Sequence, residues 1–387
     1  MGGGDSAVDW SGLLKWSLQY TDGTSPSGAL KPLSSSDVAW LNEAFASGVV
    51  DQVKSMRGFL KYLSAEVGAP VHTLGEDVAS VVSAGESGDA TSAVTLEGKL
   101  EAAEELRDIV SQIDLANDLP KIGGVPVLLG LLSSPEPSLR AHGCGLWQAV
   151  TKDNPSGQVV ALSAGALAPL MTLMNDSAHP SVQAHAMGAV SALVQNCPPA
   201  RAAFCGPAGM GVESLARAVG GRGQPESAVE LEDREPAALR VRRRALFFLR
   251  TLIESSSEST ADVRHPEDGG ADPPVDVSGL AAAAGLAASC VELADDPDLQ
   301  LREDAVAVLR LLASSGSPGR TAVSHPDLGA IHILQGIAER KRTTAAAPGG
   351  DDAAEDARRE LPALDALLDT LILHGSSSSS SASPPAR

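Results

Sequence analysis

The chain has 387 residues, 43% hydrophobic and only 3% aromatic, so it can build a sizeable core but must build it from Ala, Leu and Val. That composition favours helix throughout. A formal charge of −20, from 29 basic and 49 acidic side chains, argues against nucleic acid or anionic membrane as the main partner, since both need neutralising Lys and Arg.

Residues 1–32 read as a flexible N-terminal segment. Met1-Gly2-Gly3-Gly4-Asp5-Ser6 fits the loose myristoylation template, but no polybasic run or nearby Cys offers a second anchor, so a Gly-rich disordered start is expected. No charged-then-apolar leader follows, which makes cytosol the expected compartment. Trp10, Leu13, Leu14 and Leu18 share one face of a short amphipathic segment that also holds Trp16, and it reads as a tethered docking segment. Residues 33–63 predict helix: Ser36-Asp37 cap a run through Trp40, Leu41, Ala44 and Phe45, and Val49, Val50, Val53 and Met56 form a second helix. Residues 64–95 are rich in Ala, Gly, Ser and Asp and read as a linker with room for some helix.

From residue 96 to 315 a repeat dominates. Its last helix recurs as Leu139/Gly143/Leu146/Val150, Val182/Ala186/Ala189/Leu193, Val241/Ala245/Phe248/Leu252 and Leu301/Ala305/Val308/Leu312. Steps of four, three and four keep one helix face apolar, and the small second residue lets a neighbour approach. Ahead of it, Leu100 to Ile113 is amphipathic, Gly123-Gly124-Val125-Pro126 separates two helices, and Ser133 to Pro137 is a turn. The step of 43 from Leu139 to Val182 is an armadillo/HEAT length. The later steps of 59 and 60 are explained by polar insertions at 220–235 and 255–278. Residues 316–375 predict a C-terminal repeat whose helix, Leu361 to Leu373, caps the stack, and 376–387 a disordered tail. The expected fold is all-α, an armadillo-type right-handed superhelix of three-helix repeats.

Catalytic chemistry is not legible. No GxxxxGK, GxSxG or HExxH motif occurs, and Gly206 to Gly211 lies between helices rather than after a strand. Cys144, Cys197, Cys205 and Cys290 form no CxxC pair and read as reduced thiols. His142 and His185 share a repeat position but lack a third metal ligand. No enzyme, metal or cofactor is expected.

A binding surface is. Counting from the first residue of each quartet as zero, positions three, six, ten and thirteen form an adjoining stripe expected on the concave side. Its candidate contacts are His142, Lys152, His185, Gln195, Arg244, Phe247 and Glu254, with Arg242, Arg243 and Arg302 beside them. Gly145, Ala149, Gly188 and Ala192 stand where peptide-binding armadillo proteins place Trp and Asn ladders, so the groove suits a folded partner instead.

Several segments resemble the armadillo-type nucleotide exchange factors of the seventy-kilodalton heat-shock chaperones, the Fes/Hsp-binding-protein family. They are Leu13-Leu14-Lys15-Trp16-Ser17, Ser36 to Ala44, Ile113 to Leu119 with Ile122-Gly123-Gly124, Asp153-Asn154-Pro155 with Gln158, and Val241 to Leu249. The block containing Asp114, Asn117 and Asp118 is the most specific, because general armadillo repeats lack it. The resemblance implies a non-catalytic, monomeric co-chaperone that clasps the chaperone's ATPase domain and opens its nucleotide cleft, with the Trp10 to Tyr20 segment helping clients off. The two insertions and the Ala/Gly-rich linker depart from the family pattern. The competing reading is an armadillo scaffold for a non-chaperone partner.

Overall fold

A computed structural model describes Ser35 and residues 52–82, 93–176, 178–206, 210–221, 237–262, 275–315, 317–346 and 352–378. The N-terminal docking segment (Trp10, Leu13, Leu14, Trp16), the helix expected from Ser36, the middle of both insertions and the tail beyond Ser378 lie outside the described residues.

Among those residues the regular structure is helical, apart from one antiparallel bridge between Pro70 and Ala93. The chain opens with α1 (Gln52–Ser64), α2 (Glu76–Val82) and α3 (Leu96–Val110). Three-helix units follow. The first is α4 (Ile113–Asp118), α5 (Gly124–Leu132) and α6 (Pro137–Thr151); the second is α7 (Pro155–Ser163), α8 (Leu167–Met174) and α9 (Pro180–Val194). The third is α10 (Pro198–Cys205), α11 (Gly211–Val219) and α12 (Ala237–Asp262); the fourth is α13 (Val277–Ala283), α14 (Leu286–Leu293) and α15 (Leu299–Ser314). The fifth is α16 (Ser317–Val323), α17 (Ala330–Ala345) and α18 (Asp352–Ser378). This is the armadillo-type, all-α repeat architecture.

Local chemistry fixes the joints. Pro137, Pro155, Pro180 and Pro198 each open a helix at its first turn, where a missing N–H costs nothing. Between first and second helices the backbone must pass through a left-handed conformation, and Gly123, Gly165, Gly285 and Gly329 supply it. In the third unit Met210 occupies that slot at φ 48°. After α6 and α9 the same conformation falls to Asp153 and Asn196 (φ 53° and 55°), the residues that tolerate it best after glycine.

Every residue of the four predicted quartets is buried. Each third helix packs on the second helix of its unit and on the third helices before and after it, so α3, α6, α9, α12, α15 and α18 form one row. The row is longer than the sequence pattern shows. Lys99/Ala103/Leu106/Val110 in α3 and Glu360/Leu364/Leu367/Leu371 in α18 are buried at the same spacing, with a charge at position zero. Each fully buried Leu or Val contributes about 1.5–3 kcal/mol, and because units touch mainly their neighbours, stability accumulates unit by unit.

Three expectations are corrected. Residues 64–95, read as linker, contain α2 packed on α1, buried Val71, Val78 and Val94, and paired bonds Gly68 N–H to Val94 O and Val94 N–H to Ala69 O, both 2.8 Å. Val71, Leu74, Val78 and Val81 do recur at helical steps of three and four, but the Ala, Gly and Ser around them give the segment the composition of a linker. Residues 255–262, assigned to the second insertion, continue α12. The capping helix is not confined to 361–373 but starts at Asp352, and it runs to Ser378, two residues past the expected start of the tail, with Pro362 inside it. No single described helix is long and apolar enough to cross a membrane.

Candidate partner-binding interface

The third-helix row leaves one face uncovered by second helices, and its side chains form the candidate interface. Position thirteen is exposed at Lys152, Gln195 and Ser314, and half-buried at Glu254. At position six Phe247 is 48% exposed, an unusual display for a large aromatic ring. Gly145 and Gly188 at that position admit the side chains of the preceding helices: a Cβ on Gly188 would meet Gln148 Oε1 at 2.8 Å. Position nine also belongs here, with Arg310 exposed and Gln148, Ser191 and Arg250 half-buried. The angular step of 100° per residue places nine opposite the core, which was the available signal.

Position three is turned toward the neighbouring helices. Asp304 is fully buried and accepts from Arg250 Nη1 at 2.5 Å and Gln300 Nε2 at 3.0 Å. Arg244 donates to the Ala184 carbonyl at 2.6 Å, tying α12 to α9. His142 and His185 are half-buried, and each points Nδ1 at the carbonyl four residues earlier, Ser138 at 2.9 Å and Ser181 at 2.8 Å. A carbonyl only accepts, so Nδ1 carries the proton in both rings. Burial lowers the His185 pKa; the Ser181 carbonyl opposes this, while Arg244, His142 and Arg240 reinforce it.

The other predicted arginines also reach across units rather than outward. Arg242 donates to the Val219 carbonyl at 3.1 Å and lies 3.7 Å from Asp296. Arg243 makes a two-pronged pair with Asp298, Nε to Oδ1 at 3.0 Å, which holds that carboxyl below the ordinary range. Arg302 sits among Glu360 at 2.8 Å, Asp356 at 3.8 Å and the carbonyls of Asp296 and Pro297. Positions one and two face the following unit, so a stripe drawn from helix geometry alone could not separate these from open-face residues. The open face therefore brings together Lys152, Gln195, Phe247 and Glu254, with Arg250 stacked over Phe247 at 5.3 Å.

The Asp114–Leu119 block lies elsewhere and acts within the fold. Asn117 Oδ1 accepts from Asn154 Nδ2 at 3.1 Å, and the same amide donates to the Val150 carbonyl at 3.0 Å. Asp118 pairs with Lys121 at 2.6 Å, and Asp114 is exposed in the first turn of α4, where a carboxylate suits the helix dipole. Gln158, buried, donates Nε2 to the carbonyls of Ala192 at 2.9 Å and Gln195 at 2.8 Å, closing the end of α9. These amides join α4, α6, α7 and α9.

All four cysteines are buried and unbonded. Burial pushes the Cys144 thiol up to about 12 and Cys205 to about 11, and raises Cys290 further. Among the described residues no three His, Cys, Asp or Glu side chains are placed to hold a metal ion.

Two family models match the chain in succession. Residues 10–119 match the nucleotide exchange factor Fes1 model, and residues 115–222 match the SIL1/FES1/HPBP1 C-terminal domain. The nucleotide exchange factor SIL1 of Mus musculus is 30% identical over 114 residues, 30% of this chain and 24% of that protein; the Rattus norvegicus protein of the same name gives the same figures. The match thus spans about a quarter of these relatives' length. Among solved structures, a designed armadillo repeat protein in complex with a peptide has a TM-score of 0.48 at 16% identity, covering 70% of this chain and 93% of its own. An armadillo-repeats-only protein from Plasmodium falciparum has a TM-score of 0.44 at 15% identity, covering 72% and 99%.

Proposed function

We propose that this chain, which belongs to the SIL1/FES1/HPBP1 family of nucleotide exchange factors, binds the ATPase domain of a cytosolic heat shock 70 kDa chaperone and promotes ADP release. The observation that carries this reading is the succession of the two family models, which meet inside the Asp114–Leu119 block. The open face of the third-helix row is the surface offered for docking, with Phe247 as its apolar anchor and Lys152, Gln195 and Glu254 as polar contacts.

No catalytic residue is needed. A protein that binds the open arrangement of a two-lobed domain about 100-fold more tightly than the closed one shifts that equilibrium by about 2.7 kcal/mol. ADP is then held by one lobe and leaves. The Trp10 to Tyr20 segment is assigned to client release, and the chain acts as a monomer without cofactor. Four buried, unbonded cysteines fit a reducing compartment such as the cytosol.

The test is release of labelled ADP from a cytosolic chaperone. Added protein should accelerate it, and substituting Phe247→Ala should weaken binding about tenfold at unchanged melting temperature. Binding without any acceleration at saturation would overturn the exchange mechanism.

A further inference from the structure

The last carbonyls of an α-helix find no partner within the helix. At the end of α9 two carbonyls, Ala192 in the last turn and Gln195 just past it, are taken by one side chain from another helix: Gln158 Nε2 donates to them at 2.9 and 2.8 Å. A carboxamide nitrogen has two N–H groups, and both are engaged here. Gln158 is only 5% exposed, and the helix that carries it is itself tied down, because the Asn154 amide one turn earlier bonds Asn117 Oδ1 and the Val150 carbonyl.

The bond to Gln195 falls where the chain turns away from the helix axis. Gln195 has left helical geometry (ψ 123°), and Asn196 follows in the left-handed conformation at φ 55°. Holding the carbonyl between them fixes that turn, and with it the place from which the exposed Gln195 side chain leaves the open face. The next unit repeats the device. Arg201, like Gln158 the fourth residue of its helix, donates to the Ser255 carbonyl of α12 at 3.4 Å. The end of α6 is held locally instead, its Val150 carbonyl bonded by Asn154 from four residues away. The end of α9 thus depends on a buried amide 37 residues distant from Gln195 in sequence.

We propose that Gln158 is a positioning residue for chaperone docking: it touches no partner, but it sets the end of α9 so that Gln195 meets the ATPase domain. The assignment rests on the function proposed above. A purely structural cap would lower stability and leave binding by the folded protein unchanged, whereas a positioning residue acts on binding through Gln195.

A double-mutant cycle on the affinity of the full chain for the ATPase domain, measured by calorimetry, separates the two. Gln158→Met keeps the length of the side chain and loses both donors. It should weaken binding about fivefold at a temperature where the variant is folded. In a Gln195→Ala background the same change should cost less than about twofold, while in a Phe247→Ala background the loss of about fivefold should persist. Melting temperature should fall by a similar amount in every background, and amide exchange should rise at Gln195 to Cys197 but not in α6. Should Gln158→Met not fold, Gln158→Asn takes its place in the cycle, since it keeps the carboxamide but is too short to reach both carbonyls. Equal losses in the wild-type and Gln195→Ala backgrounds, or unchanged binding by a folded Gln158 variant, overturn the positioning role and leave the docking face standing. A wild-type protein that does not bind the domain overturns the proposed function and this role with it.

Discussion

Where α6 meets α9 the contact is close and apolar: Gln148 lies over Gly188, and Cys144, Trp147, Met187 and Val190 are buried. Where α12 meets α15, and α15 meets α18, ion pairs take over. Arg243 joins Asp298, Arg250 joins Asp304, Arg302 joins Glu360 and Arg359 joins Glu303. The shape of the repeat is the same at both places, yet the forces differ. A solenoid can therefore keep one geometry while its two halves respond differently to acid and salt.

The largest expected effect attacks the apolar half. In Gly157→Ala the new Cβ falls on the Val150 carbonyl oxygen, a backbone atom that cannot step aside, and 2.8 Å from Asn154 Nδ2. Destabilisation of about 3 kcal/mol is expected in urea denaturation. A loss under about 1 kcal/mol would mean that the α6–α7 joint is looser than described.

Glu360→Ala attacks the ionic half. Glu360 is bonded to Arg302 at 2.8 Å and to Lys341 at 2.9 Å with only 7% of its side chain exposed, so its removal leaves two cations facing each other. A loss of about 3 kcal/mol is expected. Amide exchange should rise in α15 to α18 while α6 and α9 stay protected, and uniform exchange would refute the independence of the halves.

Acid should separate the halves without mutation. Burial alone would raise the Glu360 pKa, but bonds from Arg302 and Lys341 bring it below 4.5, and the Arg243 bond brings Asp298 below 3.8. Both groups bind fewer protons folded than unfolded in that range. Their stabilisation is complete above the unfolded values and is lost as pH falls through the folded ones. Exchange measured on descent below pH 4.5 should release α15 and α18 before α9.

The smallest effect belongs to Lys99→Met. Lys99 is 8% exposed, donates to the Leu63 carbonyl at 2.9 Å, and has its pKa lowered by burial. Exchanging this cation for an apolar chain of similar length should change stability by less than about 1 kcal/mol.

Much of the architecture was legible because the four quartets carry apolar residues at every core position but the second, which is small. The row's two end helices were legible as amphipathic segments but not as copies of the quartet, because Lys99 and Glu360 sit at position zero and break an aliphatic search while the geometry continues. The face was half legible. Phe247, Lys152, Gln195 and Glu254 were singled out, whereas Arg242, Arg243 and Arg302 engage partners on other units that sequence spacing cannot reveal. Asn117 stood out in one segment and Asn154 with Gln158 in another, but their joining of four helices needs the fold in hand.

The buried thiols carry a practical consequence. Cys144 belongs to the first unit, Cys205 to the third and Cys290 to the fourth, each held protonated by its surroundings. A maleimide or iodoacetamide probe reaches such a sulfur only when its own segment opens. The native chain thus carries its own clocks: three alkylation rates, read by mass spectrometry, time the opening of three separate turns of the solenoid without any engineered label.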